Sequence, residues 1–402
     1  MATENNNKNL NVPNLRFPEF SGEWVRSSLG VVFCKVENGL TYDPNNSEGL
    51  PVTRIETISD RSINYKRVGY AKDDGKLSKY KMEPGDILFS HINSLKHIGK
   101  TAYYDGEHPL YHGMNLLLLR TTNEESARFL FYQLNTSRFL HRCQVLANQA
   151  VNQASINTRE LKGITLHKPS IKEQIKIADF ISLLDNRIAT QIKIIEKLES
   201  LIRGLITDVN SGRIAQCKSV YLRDLLIEQH EKNTNNYEVC SVSVSQGVIN
   251  QIDYLGRSFA AKEVLHYNVV NCGDIVYTKS PTGEFPYGIV KRSDITKPVA
   301  VSPLYGVYRP INDYVGKYLH LYFKSPINAK NYLHKLIQKG AKNTINITNQ
   351  HFLDNKILIP EKGWLENIVN FAAAIEMKIA TENKVLQTLQ QQKDYLLSKM
   401  FI

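Results

Sequence analysis

Two stretches of this chain repeat their apolar residues at alternating steps of three and four. In residues 170–209 the track is Ile177, Ile181, Leu184, Ile188, Ile195, Leu198, Ile202, Leu205 and Val209, and the one polar position within it is Gln191. The second stretch places Ile368, Ala372, Ile375, Ile379, Glu382, Leu386, Leu389, Lys393, Leu396 and Met400 on the same track, 191 residues later and without a gap. Such steps hold a stripe on one side of an α-helix, and a 3.5-residue period is that of a coiled-coil seam. Two long helices are predicted. A lone helix cannot bury its stripe, so the simplest expectation is that the two pair as an antiparallel intramolecular coiled coil. The alternative is that each packs on its own globular domain. Both tracks break at the same heptad position, Gln191 and Glu382, where buried polar groups would fix the register.

Before and between these helices the pattern changes to short apolar runs separated by turns. Residues 31–36, 86–90, 115–119, 239–244, 274–278 and 304–308 are rich in Val, Ile, Leu, Phe and Tyr and read as strands, while 124–147 and 314–338 read as helical. The same motifs occur twice in the same order. Gly85-Asp86-Ile87 returns as Gly273-Asp274-Ile275 at a shift of 188 residues, and Arg120 returns as Arg309 at 189. Ser155-Ile156-Asn157 returns as Thr344-Ile345-Asn346 at 189, and Arg187-Ile188-Ala189-Thr190 as Lys378-Ile379-Ala380-Thr381 at 191. A colinear series of this kind is an internal duplication. The fold expected is α+β: two similar domains joined by two long helices in an antiparallel coiled coil, with a pseudo-twofold internal repeat. The boundaries expected are a polar arm at 1–14, domain one at 15–169, the central helix at 170–210, domain two at 211–361 and the C-terminal helix at 362–402.

Composition narrows the function. The net charge of +11 favours a polyanionic partner such as double-stranded DNA. No apolar run approaches the roughly 20 residues of a membrane span, and the first residues lack the apolar core of a secretory signal, so a cytoplasmic location and no membrane partner are expected. Five widely spaced cysteines, Cys34, Cys143, Cys217, Cys240 and Cys272, contain no C-x-x-C pair and read as reduced thiols, with no metal site.

Catalytic patterns fail individually. His97-Ile98-Gly99-Lys100-Thr101 ends as a phosphate loop does, but Ser94 stands where its leading glycine belongs. H-E-x-x-H, G-x-S-x-G, G-x-G-x-x-G and the N-P-P-Y of adenine methyltransferases do not occur. No catalytic residue is expected in this chain. Without such motifs a self-contained enzyme is disfavoured, and the competing class is a non-enzymatic scaffold of duplicated interaction modules on a coiled-coil strut. The basic balance favours DNA.

Taken in order, these features resemble the specificity subunit of type I restriction-modification systems. The resemblance is carried by Leu15-Arg16-Phe17-Pro18-Glu19-Phe20 with Gly22-Glu23-Trp24, by the paired G-D-I entries, by the E-Q-x-K-I-A-x-F start of the central helix from Glu173 to Phe180, and by the terminal Lys399-Met400-Phe401-Ile402. The second helix departs from it, with Gly363-Trp364-Leu365-Glu366-Asn367 in place of the E-Q-x-K segment. The resemblance implies two target recognition domains, each reading one half of a bipartite DNA site. It also implies helices that set the spacer and dock two methyltransferase subunits, and through these two restriction subunits. S-adenosylmethionine, ATP and magnesium would belong to those partners and not to this chain.

Base reading needs polar side chains on exposed loops, with lysines and arginines nearby for phosphates. The first candidates follow the G-D-I strands: Ser90, His91, Asn93, Lys96, His97 and Lys100 in the first domain, and Lys279, Ser280, Thr282, Lys291 and Arg292 in the second. A second set precedes the S/T-I-N element, with Gln149, Asn152 and Gln153 against Lys339, Lys342 and Asn343. Arg54, Lys66, Arg67, Ser243, Ser245 and Gln246 rank lower.

Overall fold

The computed structural model describes residues 11–59, 61–150, 153–255, 263–339 and 345–402. They form two compact units, Met1–Gln191 with Val385–Ile402, and Ile192–Lys384. Each unit therefore takes part of both long helices.

In the first unit, β1 (Val25–Ser28), β2 (Phe33–Asn38), β3 (Ile58–Ser59), β4 (Ser62–Ile63), β5 (Ile87–Phe89), β6 (Thr101–Tyr103), β7 (Leu117–Thr121) and β8 (Thr165–Lys168) are the strands that position the site. An antiparallel sheet runs in the order β2-β7-β5-β6, and β1 pairs separately with β8. Helices α1 (Ala127–Leu134) and α2 (Ser137–Leu146) replace the single helix expected over 124–147. Thr136 makes the break, because its hydroxyl accepts from Phe139 N and caps a new helix. The first residues of the strand expected at 31–36 are helical, since a turn at Leu29–Val32 precedes β2. The long central helix α3 spans Ile171–Asn210.

The second unit repeats this plan with β9 (Cys217–Tyr221), β10 (Leu226–Glu228), β11 (Cys240–Ser243), β12 (Gly247–Asn250), β13 (Ile275–Thr278), β14 (Ile289–Arg292), β15 (Gly306–Pro310) and β16 (Lys356–Pro360). Its sheet runs β10-β15-β13-β14, and β9 pairs with β16. The corresponding helices are α4 (Asp313–Phe323) and α5 (Pro326–His334), separated where Ser325 caps and Pro326 starts a new helix. The C-terminal helix α6 spans Lys362–Lys399. The duplication seen in sequence is thus a duplication of strand order.

Every position of both heptad tracks is buried or half-buried. In the first unit Ile177 and Ile181 of α3 share a core with Leu397, Met400 and Phe401, and Lys393 bridges Asp185 at 2.5 Å. In the second unit Ile202, Ile206 and Val209 of α3 share a core with Leu365, Ile368, Ala372 and Ile375 of α6. Rising numbers on one helix meet falling numbers on the other, so the pair is antiparallel. The two packing alternatives both hold, because the same apolar faces also close the globular cores: Ile177 and Phe401 meet Trp24 and Phe129, and Val209 and Ile368 meet Leu222 and Tyr318. Gln191 is buried, while Glu382 bridges Lys378 one turn away on its own helix at 2.5 Å. Among the described residues no helix is long and apolar enough to cross a membrane.

Candidate nucleic-acid interface

The G-D-I turns are built alike. Gly85 and Gly273 adopt φ of +98° and +92°, left-handed values that favour glycine and let the chain turn into the strand. The aspartate that follows is buried and caps the turn: Asp86 Oδ2 accepts from Glu83 N at 2.7 Å, and Asp274 Oδ2 from Asn271 N at 2.8 Å. Each carboxylate also holds the arginine that leaves the adjacent strand. Arg120 reaches Asp86 through Nε at 2.7 Å and a terminal nitrogen at 2.8 Å, and Arg309 reaches Asp274 through Nε at 3.2 Å. The hydrogen bonds and charge of Asp86 raise the Arg120 guanidinium above its ordinary range. Both members of each pair stood out in the sequence as matched positions; that they touch was not visible there.

The loops these turns launch are less open than expected. Ser90 is buried, with its backbone tied to Lys100 O and Gly99 N, and its hydroxyl accepts from Asn93 Nδ2 at 3.1 Å. His91 is buried too, its Nε2 facing Asn38 Nδ2 at 3.2 Å, and burial pushes the imidazole down to about 4. Lys96 is exposed and His97 and Lys100 are half-buried. In the second unit Lys279, Ser280 and Thr282 are exposed. Lys291 is 4% exposed, and burial with the neighbouring charge of Lys324 pushes its ammonium down to about 8. Arg292 is engaged by Asp294 and, at 2.6 Å, by Asp313. Ser90, His91, Lys291 and Arg292 are thus held within the fold: Lys291 and Arg292 lie in β14, and Ser90 and His91, just beyond β5, bond through their backbones to neighbouring segments.

Gln149 and Gln153 are exposed on the paired strands Asn148–Ala150 and Gln153–Ser155, and Lys339 lies in the corresponding strand Gln338–Lys339 of the second unit. Asn152, Lys342 and Asn343 lie outside the described residues. Arg54 is spent on Tyr42 Oη and Pro44 O, at 3.1 and 2.8 Å, whereas Lys66 and Arg67 are exposed. Ser243 is buried at the end of β11, and Ser245 and Gln246 are exposed at the hairpin tip beyond it. Of the lower-ranked residues, Lys66, Arg67, Ser245 and Gln246 are therefore accessible, and Arg54 and Ser243 are not.

The segments that flank the first domain converge on one buried carboxylate. Glu173 accepts from Arg16 at 2.8 Å through each oxygen and from Trp24 Nε1 at 3.3 Å. Phe17 meets Phe180 edge to face at 5.7 Å, and Lys176 pairs with Glu19. Gln174 donates to Glu125 Oε2 at 2.8 Å and accepts from Ser126 N at 3.0 Å. The residues that shape the E-Q-x-K-I-A-x-F pattern thus bind the N-terminal segment to the first turns of α3. At the start of α6, where that pattern is absent, Trp364 is half exposed and Leu365 enters the core.

The same α+β unit thus occurs twice, with the long helices closing both cores, and solved structures share this fold. Over 97% of this chain and 99% of the other, the fold matches the crystal structure of the type I restriction-modification S subunit from M. genitalium, with a TM-score of 0.57 at 13% identity. A chain from a structure concerned with complex assembly and conformational transition of the type I R-M system matches with a TM-score of 0.52 at 13% identity, over 94% of this chain and 97% of that one. Identity this low speaks to the fold alone.

Residues 22–200 match the type I restriction modification DNA specificity domain. It is 39% identical over 217 residues to a putative type I restriction enzyme MjaX specificity subunit of Methanocaldococcus jannaschii. That match takes in 53% of this chain and 51% of the relative, so the chain spans about half the length of the curated relative it matches.

Proposed function

We propose that this chain supplies the DNA sequence specificity of a type I restriction-modification complex and performs no catalysis itself. Each unit reads one half of a bipartite site, and the paired helices set the spacer and dock the partner subunits. What carries this reading is the repeated strand order, β2-β7-β5-β6 and β10-β15-β13-β14, in a chain whose residues 22–200 match a DNA specificity domain. Two equivalent docking faces are supported by apolar residues left exposed at the same helix register. Phe180 and Phe371 are 41% and 57% exposed and stand 191 residues apart, and Ile194 and Val385 repeat the spacing. Contiguous exposed apolar surface marks interaction sites. Two methyltransferase subunits would cover them, two restriction subunits would join through these, and S-adenosylmethionine, ATP and magnesium would act in those partners within the cytoplasm.

The test is methylome sequencing of DNA from cells that express this chain with its methyltransferase subunit. A split motif containing adenine in each half is expected, and replacing residues 211–361 should alter one half only. No new methylation would refute the reading.

A further inference from the structure

The units share their sheet and a hairpin that crosses it, but not the tip of that hairpin. On the sheet face turned away from α1 and α4, β3 and β4 pack Ile58 and Ile63 on Leu88, Ala102 and Leu118, while β11 and β12 pack Cys240 and Val248 on Val276 and Val307. The covered residues sit on corresponding strands, so the two hairpins are counterparts. Their tips are not alike. In the first, Ser59 pairs with Ser62, and Arg61 stands at φ +67°. The second is longer: Ser243 pairs with Gly247, and Val244, Ser245 and Gln246 project between them, all three exposed.

An element that distinguishes two half-sites must differ between two units that are otherwise alike, and these tips do. From Cys240 to Asn250 the hairpin carries no charged residue, so it offers phosphates no counter-charge. Base edges are read instead by amides, hydroxyls and apolar groups, and a two-stranded ribbon fits the major groove. The tip is held ready for that task. Ser243, buried, places its Oγ 3.3 Å from Ser245 Oγ and 3.4 Å from Gln246 N, and Gly247 at φ +72° closes the turn. Below it, the valines of both strands anchor the stem in the cluster of Val270, Val276 and Val299. Cations for the backbone lie elsewhere: Lys279 is exposed on the loop that joins β13 to β14, the strand on which the hairpin rests.

We propose that the β11–β12 hairpin is the base-reading element of the second unit, with Gln246 hydrogen-bonding an adenine and Val244 and Ser245 set against the neighbouring base pair. This rests on the DNA-specificity reading above. A glutamine amide matches the N6 donor and N7 acceptor of adenine, and a valine methyl matches the C5 methyl of thymine.

The test compares methylation motifs directed by the full chain, in complex with its methyltransferase subunit, before and after substitution of the tip. Gln246→Ala should relax one A·T position by about 10- to 100-fold, in the half that follows residues 211–361 when these are exchanged. Gln246→Arg should move the preference at that position toward guanine. The other half and the spacer should stay as they were, which also shows that the variant is folded. A motif unchanged by both substitutions overturns the proposal, as does loss of both halves, since an exposed tip would then be acting on the fold. If the unaltered chain directs no split motif, the DNA-specificity reading falls and the hairpin proposal with it.

Discussion

Removing the charge from the G-D-I aspartates measures how far the two units are equivalent in energy as well as in form. Asp86→Asn and Asp274→Asn both retain a carbonyl oxygen to cap the turn, so what each loses is its arginine. The geometry predicts unequal losses. Asp86 is buried and binds Arg120 through two hydrogen bonds of 2.7 and 2.8 Å, and the arginine side chain is only 25% exposed. Breaking a pair so shielded costs ~3 kcal/mol, the low end of the range for buried ion pairs. Asp274 is as buried, but it binds Arg309 through one bond of 3.2 Å, and that guanidinium's side chain is 48% exposed. Water already screens it, so the expected loss is ~1 kcal/mol. Amide hydrogen exchange followed by mass spectrometry separates the units. Protection of β5 and β7 should fall by about 100-fold in Asp86→Asn, and that of β13 and β15 by about fivefold in Asp274→Asn. Equal losses, or the larger loss in the second unit, would refute the reasoning.

Other consequences test the cores and their titrating groups. Phe401 is 6% exposed and its ring lies 5.1 Å from Phe129 and 6.5 Å from Trp24, so Phe401→Ala should destabilise the first unit by ~3–5 kcal/mol. Trp24 emission should shift to the red at lower denaturant; an unchanged midpoint would contradict the placement of the C-terminus in that core. Arg16→Ala removes the guanidinium from the buried Glu173 carboxylate, which keeps the Trp24 indole N–H, and should cost the same unit ~3 kcal/mol by urea melting. Burial, aided by Lys291, Lys324 and Arg292, pushes the His320 imidazole down to about 3. The folded unit thus holds it neutral while the unfolded chain takes a proton below pH 6.5, and stability falls as pH drops from about 6.5 toward 3. His320→Phe, the residue that Phe131 supplies at the corresponding place in the first unit, should flatten that fall in thermal melts at pH 7 and 5, and an unaltered slope would count against it.

Periodicity and repetition were enough to establish the duplication and the two helices with their seams, because a 3.5-residue stripe marks one helix face and a colinear repeat has one explanation; the antiparallel order, and the share of each seam that closes a globular core, were decided by the tertiary structure. The matched positions Gly85 and Gly273, Asp86 and Asp274, and Arg120 and Arg309 were legible too, although the left-handed turns and ion pairs they build were not. Accessibility was not. A polar residue such as His91 or Lys291 next to an apolar strand looks the same in sequence whether its loop opens to solvent or folds beneath a neighbour. Only the packing of β2 beside His91 and of the β11–β12 hairpin on β14 decided between them. The same holds for Glu173, whose partners Arg16 and Trp24 lie 157 and 149 residues away. Contacts across such separations leave no periodic trace, so they belong to the tertiary structure, as does the exposure that singles out Gln246.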